Sequence, residues 1–355
     1  MSEKIIKLRQ KMKEEGIEAL LVTTPFNLRY VTGFTGTTGL ALLSQEENFF
    51  VTDARYTEQA AKQVPDFTII QNKGPILKEV EKLIESKGFS NLAFEEGVSY
   101  QQYMQLEELI PAECDLFCAP AIIEDLRQIK TPAEIAAIQK ACEITDKAFE
   151  YILGKIKPGV TELELANELD FFMRKLGASG TSFETIVASG YRSAMPHGVA
   201  SEKKLENNEL ITFDFGCYYD GYVSDMTRTV ALGAVDEELR KIYDITLEAQ
   251  KRVIDFVAAG KTVAACDAVA RDYMGSFGYA DKFTHSLGHG IGLEIHEGVI
   301  LSQNVTATLM ENQVITDEPG IYLSGKGGVR IEDDLIVTKD GCIVLNKAPK
   351  EFIQL

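Results

Sequence analysis

Apolar residues at Ile5, Leu8 and Met12 recur at helical spacing and the pattern stops at Gly16, which predicts an N-terminal helix. The run IEALLVT (17–23) is continuously apolar and predicts a buried strand. A Gly/Thr-rich stretch from Thr32 to Gly39 follows, then LALLS and NFFVTD as two further strands. Helical patterns over 55–63, 75–87 and 99–109 alternate with the strand runs FTII, NLAF and DLFC. Strands and helices interleaved at this interval predict an α/β domain of roughly 120 residues.

Near Lys130 the texture changes. Thr131-Pro132-Ala133-Glu134 places Thr at an N-cap, Pro at the first helical position and Glu where it closes a capping box. A second start follows at Thr161 with Glu164 three residues on, and that helix is predicted to end at Gly177. Helices near 236–259 and 262–277 are set among apolar strands with embedded carboxylates, an α+β pattern. The expected division is an N-terminal domain over 1–122 and a catalytic domain over 123–355, and a chain of 355 residues suits two domains.

Composition narrows the function classes. Lys+Arg 36 against Asp+Glu 54 gives a net charge of -18, which repels phosphate backbones, so neither nucleic acid nor an anionic membrane is expected as a partner. The start MSEKIIKLRQKMKEEG lacks the apolar core of a signal peptide, and no apolar run approaches the ~20 residues of a membrane span. The six cysteines (Cys114, Cys118, Cys142, Cys217, Cys266, Cys342) are scattered, show no zinc spacing and read as reduced, so a cytoplasmic location is expected. The Gly/Thr-rich stretch has neither a Gly-Lys-Ser/Thr ending nor a G-x-G-x-x-G pattern, so it reads as a turn and not as a phosphate cradle.

The candidate chemistry lies in the second domain. In LITFDFGCYYDGYVSDMTRTV (210–230), Leu210, Thr212 and Asp214 share one strand face, and Val223, Asp225, Thr227 and Thr229 share a face of the next. Asp220-Gly221 is a hairpin signal. A hairpin centred on Tyr219 and Asp220 sets Asp214 directly opposite Asp225, with Cβ atoms about 4.5–5.5 Å apart. Two carboxylates so placed in an apolar segment repel each other and need a cation. Arg228, the one basic residue of the segment, is expected on the other face, which leaves a metal ion. FTHSLGHGIGLEIHEG (283–298) holds three of the four histidines, His285, His289 and His296, with Gly288, Gly290 and Gly292 permitting close backbone approach. Glu318 precedes Pro-Gly at the end of an apolar strand, and Glu332 is predicted within another. Four carboxylates and an imidazole balance two divalent ions, and such oxygen-rich donors suit Mn²⁺, Mg²⁺ or Co²⁺ better than a structural zinc. Two ions bridged by carboxylates acidify a shared solvent to hydroxide, so hydrolysis of a polarised carbonyl is the indicated chemistry.

The order Asp…Asp…His…Glu…Glu, carried on DFG, SDMTRT, GHGIG, EPGIY and RIED, resembles the pita-bread-fold metallopeptidases, which include aminopeptidase P, prolidase and methionine aminopeptidase. The resemblance covers residues 125–355 closely. The first ~120 residues resemble the creatinase/prolidase-type, ribonuclease-H-like N-terminal domain through NLRYVTGF and VTDARYTEQA. It implies two divalent ions, Mn²⁺ first, with Co²⁺ or Zn²⁺ as alternatives. Asp214 and Asp225 would bind one ion, His289 and Glu318 the other, with Asp225 and Glu332 bridging. It further implies that His285 and His296 contact substrate, that His197 in SAMPHGVA lines the pocket and takes part in proton transfer, that Glu318 shuttles protons, and that Arg330 orients the site. VITDEPGIYLSGKGGVRIEDDL and SFETIVASG look closest to compact bacterial aminopeptidase P. The implied activity is release of the residue before proline from peptides, with prolidase, an Xaa-Pro dipeptidase, as the alternative and a metal-free binding protein as a remote one. A bond to proline is a tertiary amide without an N–H, which calls for a dedicated pocket. Family habit implies a homodimer in which a neighbour's N-terminal domain closes the cleft, with Arg55 and Tyr56 as candidates. Asp317 departs from the family pattern, and strand alternation should turn it away from the metals.

Overall fold

In the computed structural model, which describes residues 2–355, the apolar runs of the first third pair side by side into one mixed sheet. Contacts group the chain into two units, Met1–Arg127 and Gln128–Leu355. The first unit runs α1 (Glu3–Glu14), β1 (Ala19–Val22), α2 (Pro25–Thr32), β2 (Leu40–Ser44), β3 (Asn48–Thr52), α3 (Thr57–Gln63), β4 (Thr68–Gln71), α4 (Leu77–Lys87), β5 (Asn91–Phe94), α5 (Tyr100–Leu109), β6 (Asp115–Cys118) and α6 (Ile122–Gln128). Its strand order is β4-β3-β2-β1-β5-β6, with β1, β2 and β3 antiparallel and the outer pairs parallel. The central strands β1 and β2 are buried on both faces, which is why they read as unbroken apolar runs.

Helix α2 carries Pro25 in its first turn and Gly33 in a left-handed C-cap, yet a distant residue organises its start. Its N-cap Thr24 makes no side-chain cap bond. The buried carboxylate of Glu95, just beyond β5, accepts instead from the backbone N–H groups of Thr23 (2.6 Å) and Thr24 (2.9 Å), from Thr24 Oγ1 (2.7 Å) and from Asn27 Nδ2 (2.7 Å). Burial pushes the Glu95 carboxyl above its usual range, and these four donors oppose that shift.

The second unit opens on α7 (Pro132–Leu153) and α8 (Glu162–Lys175), and both predicted capping boxes are formed. Short strands follow: β7 (Gly180–Thr181), β8 (Ile186–Ser189), β9 (Glu209–Phe215), β10 (Cys217–Tyr219), β11 (Tyr222–Val223) and β12 (Met226–Leu232). Then come α9 (Glu237–Phe256), α10 (Val263–Gly275), β13 (Gly288–His289), β14 (Ile300–Leu301), β15 (Val314–Asp317), β16 (Gly320–Leu323), β17 (Gly327–Arg330), β18 (Asp333–Val337) and β19 (Cys342–Val344). Helices α7 and α8 pack against β9 and β12 through a core that includes Phe149, Leu169, Phe213 and Val230. A second core, with Ile242, Val263, Ile315 and Leu335, joins α9 and α10 to β15 and β18. Among the described residues no helix is long and apolar enough to cross a membrane.

The hairpin register corrects the expected one. Asp220 (φ 47°) and Gly221 (φ 79°) are themselves the two turn residues, so Tyr219 pairs Tyr222 and Thr227, not Asp225, stands opposite Asp214. A two-residue turn of this hand needs positive φ at both central positions, which Asp-Gly adopts far more readily than Tyr-Asp. The ladder also breaks between β9 and β10 and between β11 and β12. Gly216 sits at that break, where a Cβ would lie 1.8 Å from the Ser224 carbonyl oxygen, so only glycine permits the approach. Glu332 differs from expectation in a similar way, lying in the interruption between β17 and β18 and not inside a strand.

Replacing Glu95 by alanine strands several buried donors and is expected to cost about 3 kcal/mol within the first unit. Amide exchange over residues 23–32 should then accelerate selectively, and unchanged protection there would show that α2 does not depend on Glu95.

Candidate active site

The carboxylates singled out in the sequence sit where strands end or break. Asp214 is next to last in β9, Asp225 lies between β11 and β12, Glu318 directly follows β15, and Glu332 lies between β17 and β18. His289 closes the two-residue β13, where its backbone N–H donates to Thr316 Oγ1 at 3.0 Å. Strand ends free the backbone from the ladder and let neighbouring side chains converge. These five residues, together with His197, His285, His296 and Arg330, line one cavity of about 540 Å³. Its remaining walls include Phe183, Ile186, Pro196, Val199, Ile295 and Ile300. Asp317 is fully buried and does not line it.

His289 Nε2 lies 3.6 Å from Asp225 Oδ2 and 3.4 Å from Glu318 Oε1. Asp225, His289 and Glu332 each present a donor atom within 4.8 Å of the others. Asp214 has a cationic partner that the segment itself did not reveal: Arg330 Nη2 donates to its Oδ2 at 2.6 Å. The same guanidinium donates to Thr227 Oγ1 (3.0 Å) and to Tyr322 Oη (2.8 Å). Thr227 in turn donates to Glu332 Oε2 at 2.6 Å, and the Asp225 N–H donates to Asp334 Oδ2 at 2.9 Å.

Three buried oxygens have no partner at all: Asp214 Oδ1, Asp225 Oδ1 and Glu332 Oε1. Unpaired buried oxygens are costly, and three of them around one imidazole fit a divalent cation. The electrostatics agree. Burial, then the neighbouring carboxylates, pushes Asp225 and Glu332 well above the usual range, and burial pushes Glu318 up to about 8 against the attraction of Arg330. Burial pulls His289 down to about 4, with His296 adding to the effect, so its imidazole is neutral and able to ligate. His285 is likewise down to about 4 through burial and then Arg330. Its Nδ1 faces the Ser286 carbonyl at 2.8 Å, an acceptor only, so that nitrogen carries the proton and Nε2 accepts from Tyr322 Oη at 2.8 Å.

The profile of metallopeptidase family M24 matches residues 136–339, and that of the creatinase/prolidase N-terminal domain matches residues 4–129. The chain belongs to metallopeptidase family M24. The solved structure of an Xaa-Pro dipeptidase from Bacillus anthracis is 48% identical over 99% of each chain, with a TM-score of 0.97. An Xaa-Pro dipeptidase from Pyrococcus furiosus is 38% identical over 99% of this chain and 100% of its own length. The solved X-Pro aminopeptidase of Thermotoga maritima is 37% identical, covering 98% of this chain and 100% of that one, with a TM-score of 0.92. The second unit of this M24 chain is therefore the pita-bread fold, and the first is the creatinase-type α/β domain.

Three residues of the M24 site escaped the sequence reading. Thr227 and Tyr322 lie inside the quoted motifs SDMTRT and EPGIY, but a hydroxyl that braces charged neighbours leaves no spacing signal. Asp334 follows Glu332 by two residues and was legible only as one more acidic position.

A raised carboxyl sets a pH dependence for the metal-free M24 protein. Glu318 at about 8 when folded, against an ordinary 4.5, keeps a proton that the unfolded chain has released. Stability should therefore fall as pH rises from 7 to 8.5, a window above the range in which His285 and His289 titrate in either state. A bound divalent cation takes the place of those protons, so saturating Mn²⁺ should remove or reverse the slope. Urea denaturation at pH 7 and 8.5 with chelator and with Mn²⁺ checks this, and identical slopes would rule out the cluster as the source.

Proposed function

We propose that this M24 metallopeptidase is an Xaa-Pro dipeptidase that works with two divalent cations, Mn²⁺ foremost. The observation that carries the reading is one cavity in which Asp214, Asp225, His289, Glu318 and Glu332 converge with unpartnered oxygens. Full-length similarity to Xaa-Pro dipeptidases supplies the proline direction. The resemblance of VITDEPGIYLSGKGGVRIEDDL and SFETIVASG to bacterial aminopeptidase P favours release of the first residue from longer peptides. The relatives weigh at least as heavily toward the dipeptide activity. Similarity to the Thermotoga maritima aminopeptidase keeps the longer-peptide reading as the second one.

His289 and Glu318 would hold one cation and Asp214 its neighbour, with Asp225 and Glu332 serving both. Bound cations would supply Lewis acidity to the scissile carbonyl and lower the pKa of a nucleophilic water. The chain's own groups do the rest. Proline leaves as a secondary amine and needs a proton, and Glu318, at the cavity wall beside His289, is the group proposed to carry it. Arg330 fixes Asp214 and, through Tyr322, the neutral ring of His285. His296, held edge-on to His289 with ring centres 4.3 Å apart, and His197 at the cavity wall are proposed to hydrogen-bond the peptide. Phe183, Ile186, Pro196, Val199 and Ile300 offer apolar surface for a pyrrolidine ring and an aliphatic side chain.

Assays with Mn²⁺ should show kcat/KM for an Xaa-Pro dipeptide at least about tenfold above that for matched Xaa-Pro-Yaa peptides, about 1.4 kcal/mol of discrimination. Turnover mainly of the longer peptides would transfer the assignment to aminopeptidase. Asp225→Asn and His289→Ala should each cost on the order of a thousandfold in kcat. Hydrolysis that survives exhaustive removal of metal would sink both readings.

A further inference from the structure

His197 lies on the segment between β8 and β9, a stretch with little regular structure of its own, and its side chain is exposed. One buried carboxylate grips that segment from behind. Glu162 is the first residue of α8, and its side chain has 0% exposure. Its Oε1 accepts from the Ser189 N–H and from Ser189 Oγ, both at 2.8 Å. Its Oε2 accepts from the Ser201 N–H (3.1 Å), from Ser201 Oγ (2.6 Å) and from Arg192 Nη1 (2.5 Å). The residues on either side of loop 190–200 therefore converge on one carboxylate. Arg192, within the loop, also donates through Nη2 to the Val199 carbonyl at 2.8 Å, two residues past His197.

The helix does not need Glu162 for itself. Thr161 and Glu164 already form its capping box, and the N–H groups of Glu162 and Leu163 go to the carbonyls of Lys203 and Ser201. Every side-chain bond of Glu162 goes to the 189–201 segment. A buried carboxylate saturated by five donors, one of them a guanidinium, defines a single geometry, because a shift of the loop would strand charge in the interior. Its place at a helix N-terminus adds favourable dipole interaction.

We propose that Glu162 and Arg192 are positioning residues that set the loop bearing His197 against the cavity. The inference rests on the reading that His197 engages the peptide, and it predicts that loosening the clamp weakens what His197 contributes, with its loop neighbours Pro196 and Val199, while leaving the candidate metal ligands in place.

The test uses the full chain with Arg192→Met, Ser201→Ala and Glu162→Gln, the first two serving if the third does not fold. With only four histidines, imidazole C–H NMR of the Zn²⁺-loaded protein can follow each ring. The His197 signal should shift or broaden while His285, His289 and His296 stay in place, and Mn²⁺ affinity should change by less than about twofold. kcat/KM should fall about tenfold, and the same variants should cause a clearly smaller further loss in a His197→Ala background. An unmoved His197 signal, or an equal loss with and without His197, overturns the proposal. Absence of Xaa-Pro hydrolysis by the parent protein would instead overturn the proposed function and leave the NMR comparison to decide the clamp.

Discussion

Four inward carboxylates, Asp214, Asp225, Glu318 and Glu332, share a cavity with a single guanidinium, and that excess of negative charge is the constraint the second unit is built around. Two like charges 4 Å apart repel by about 4 kcal/mol even at an effective dielectric of 20. Arg330 offsets one of them by pairing with Asp214, and Asp214 Oδ1, Asp225 Oδ1 and Glu332 Oε1 are left without donors. Such a cluster persists in the metal-free chain only by holding protons, which is the meaning of the raised carboxyls of Asp225, Glu318 and Glu332. Divalent cations are the counter-charge that fits both the number of oxygens and their spacing.

Holding those groups together takes a framework that does not itself titrate toward the cations. Thr227 braces Glu332 and Arg330 at once, and Thr316 holds the backbone of His289. Behind them a second layer is fully paired: Arg228 and Lys350 both bind Asp333, with Gln250 donating to the same carboxylate. Arg228 thus points away from the cavity, as the strand pattern predicted, and ties β12 to β18. Asp317 lies across the ladder from Asp333 with neither of its own oxygens paired, and burial holds its carboxyl well up. A neutral, protonated acid at that place avoids adding a further charge to the interior.

Much of this was legible because the information is local. Capping boxes at Thr131 and Thr161, apolar runs in β1 and β2, and the order of candidate ligands are each contained within a few residues. What was not legible depends on distant partners. The start of α2 waits on Glu95, some 70 positions away, and the cation for Asp214 comes from Arg330 in another hairpin. The hairpin register differs by two from a turn centred on Tyr219 and Asp220, because the positive φ of Asp220 and Gly221 decides the pairing. The breaks that carry Asp225 and Glu332 looked like continuous strand because alternation persists across them. At the first of them, the packing of Gly216 against Ser224 shows the ladder opening.

The candidate metal ligands and most of the apolar cavity wall occupy different kinds of structure. The ligands hang from strand ends braced by the sheet, whereas Phe183, Pro196, His197, Val199, Ile295 and His296 lie in the loops that flank β8 and follow β13. The loops after β8 and β13 are each fixed by a buried ion pair. Glu162 and Arg192 hold the first, and Lys130 holds the second through Glu297 at 2.8 Å, whose other oxygen accepts from the N–H groups of Leu293 and Glu294. A buried pair of this kind is a poor source of net stability but a strong determinant of a single conformation, since misplacing either partner leaves a charge in the interior. A loop tip can therefore be reshaped without disturbing the strand-borne ligands.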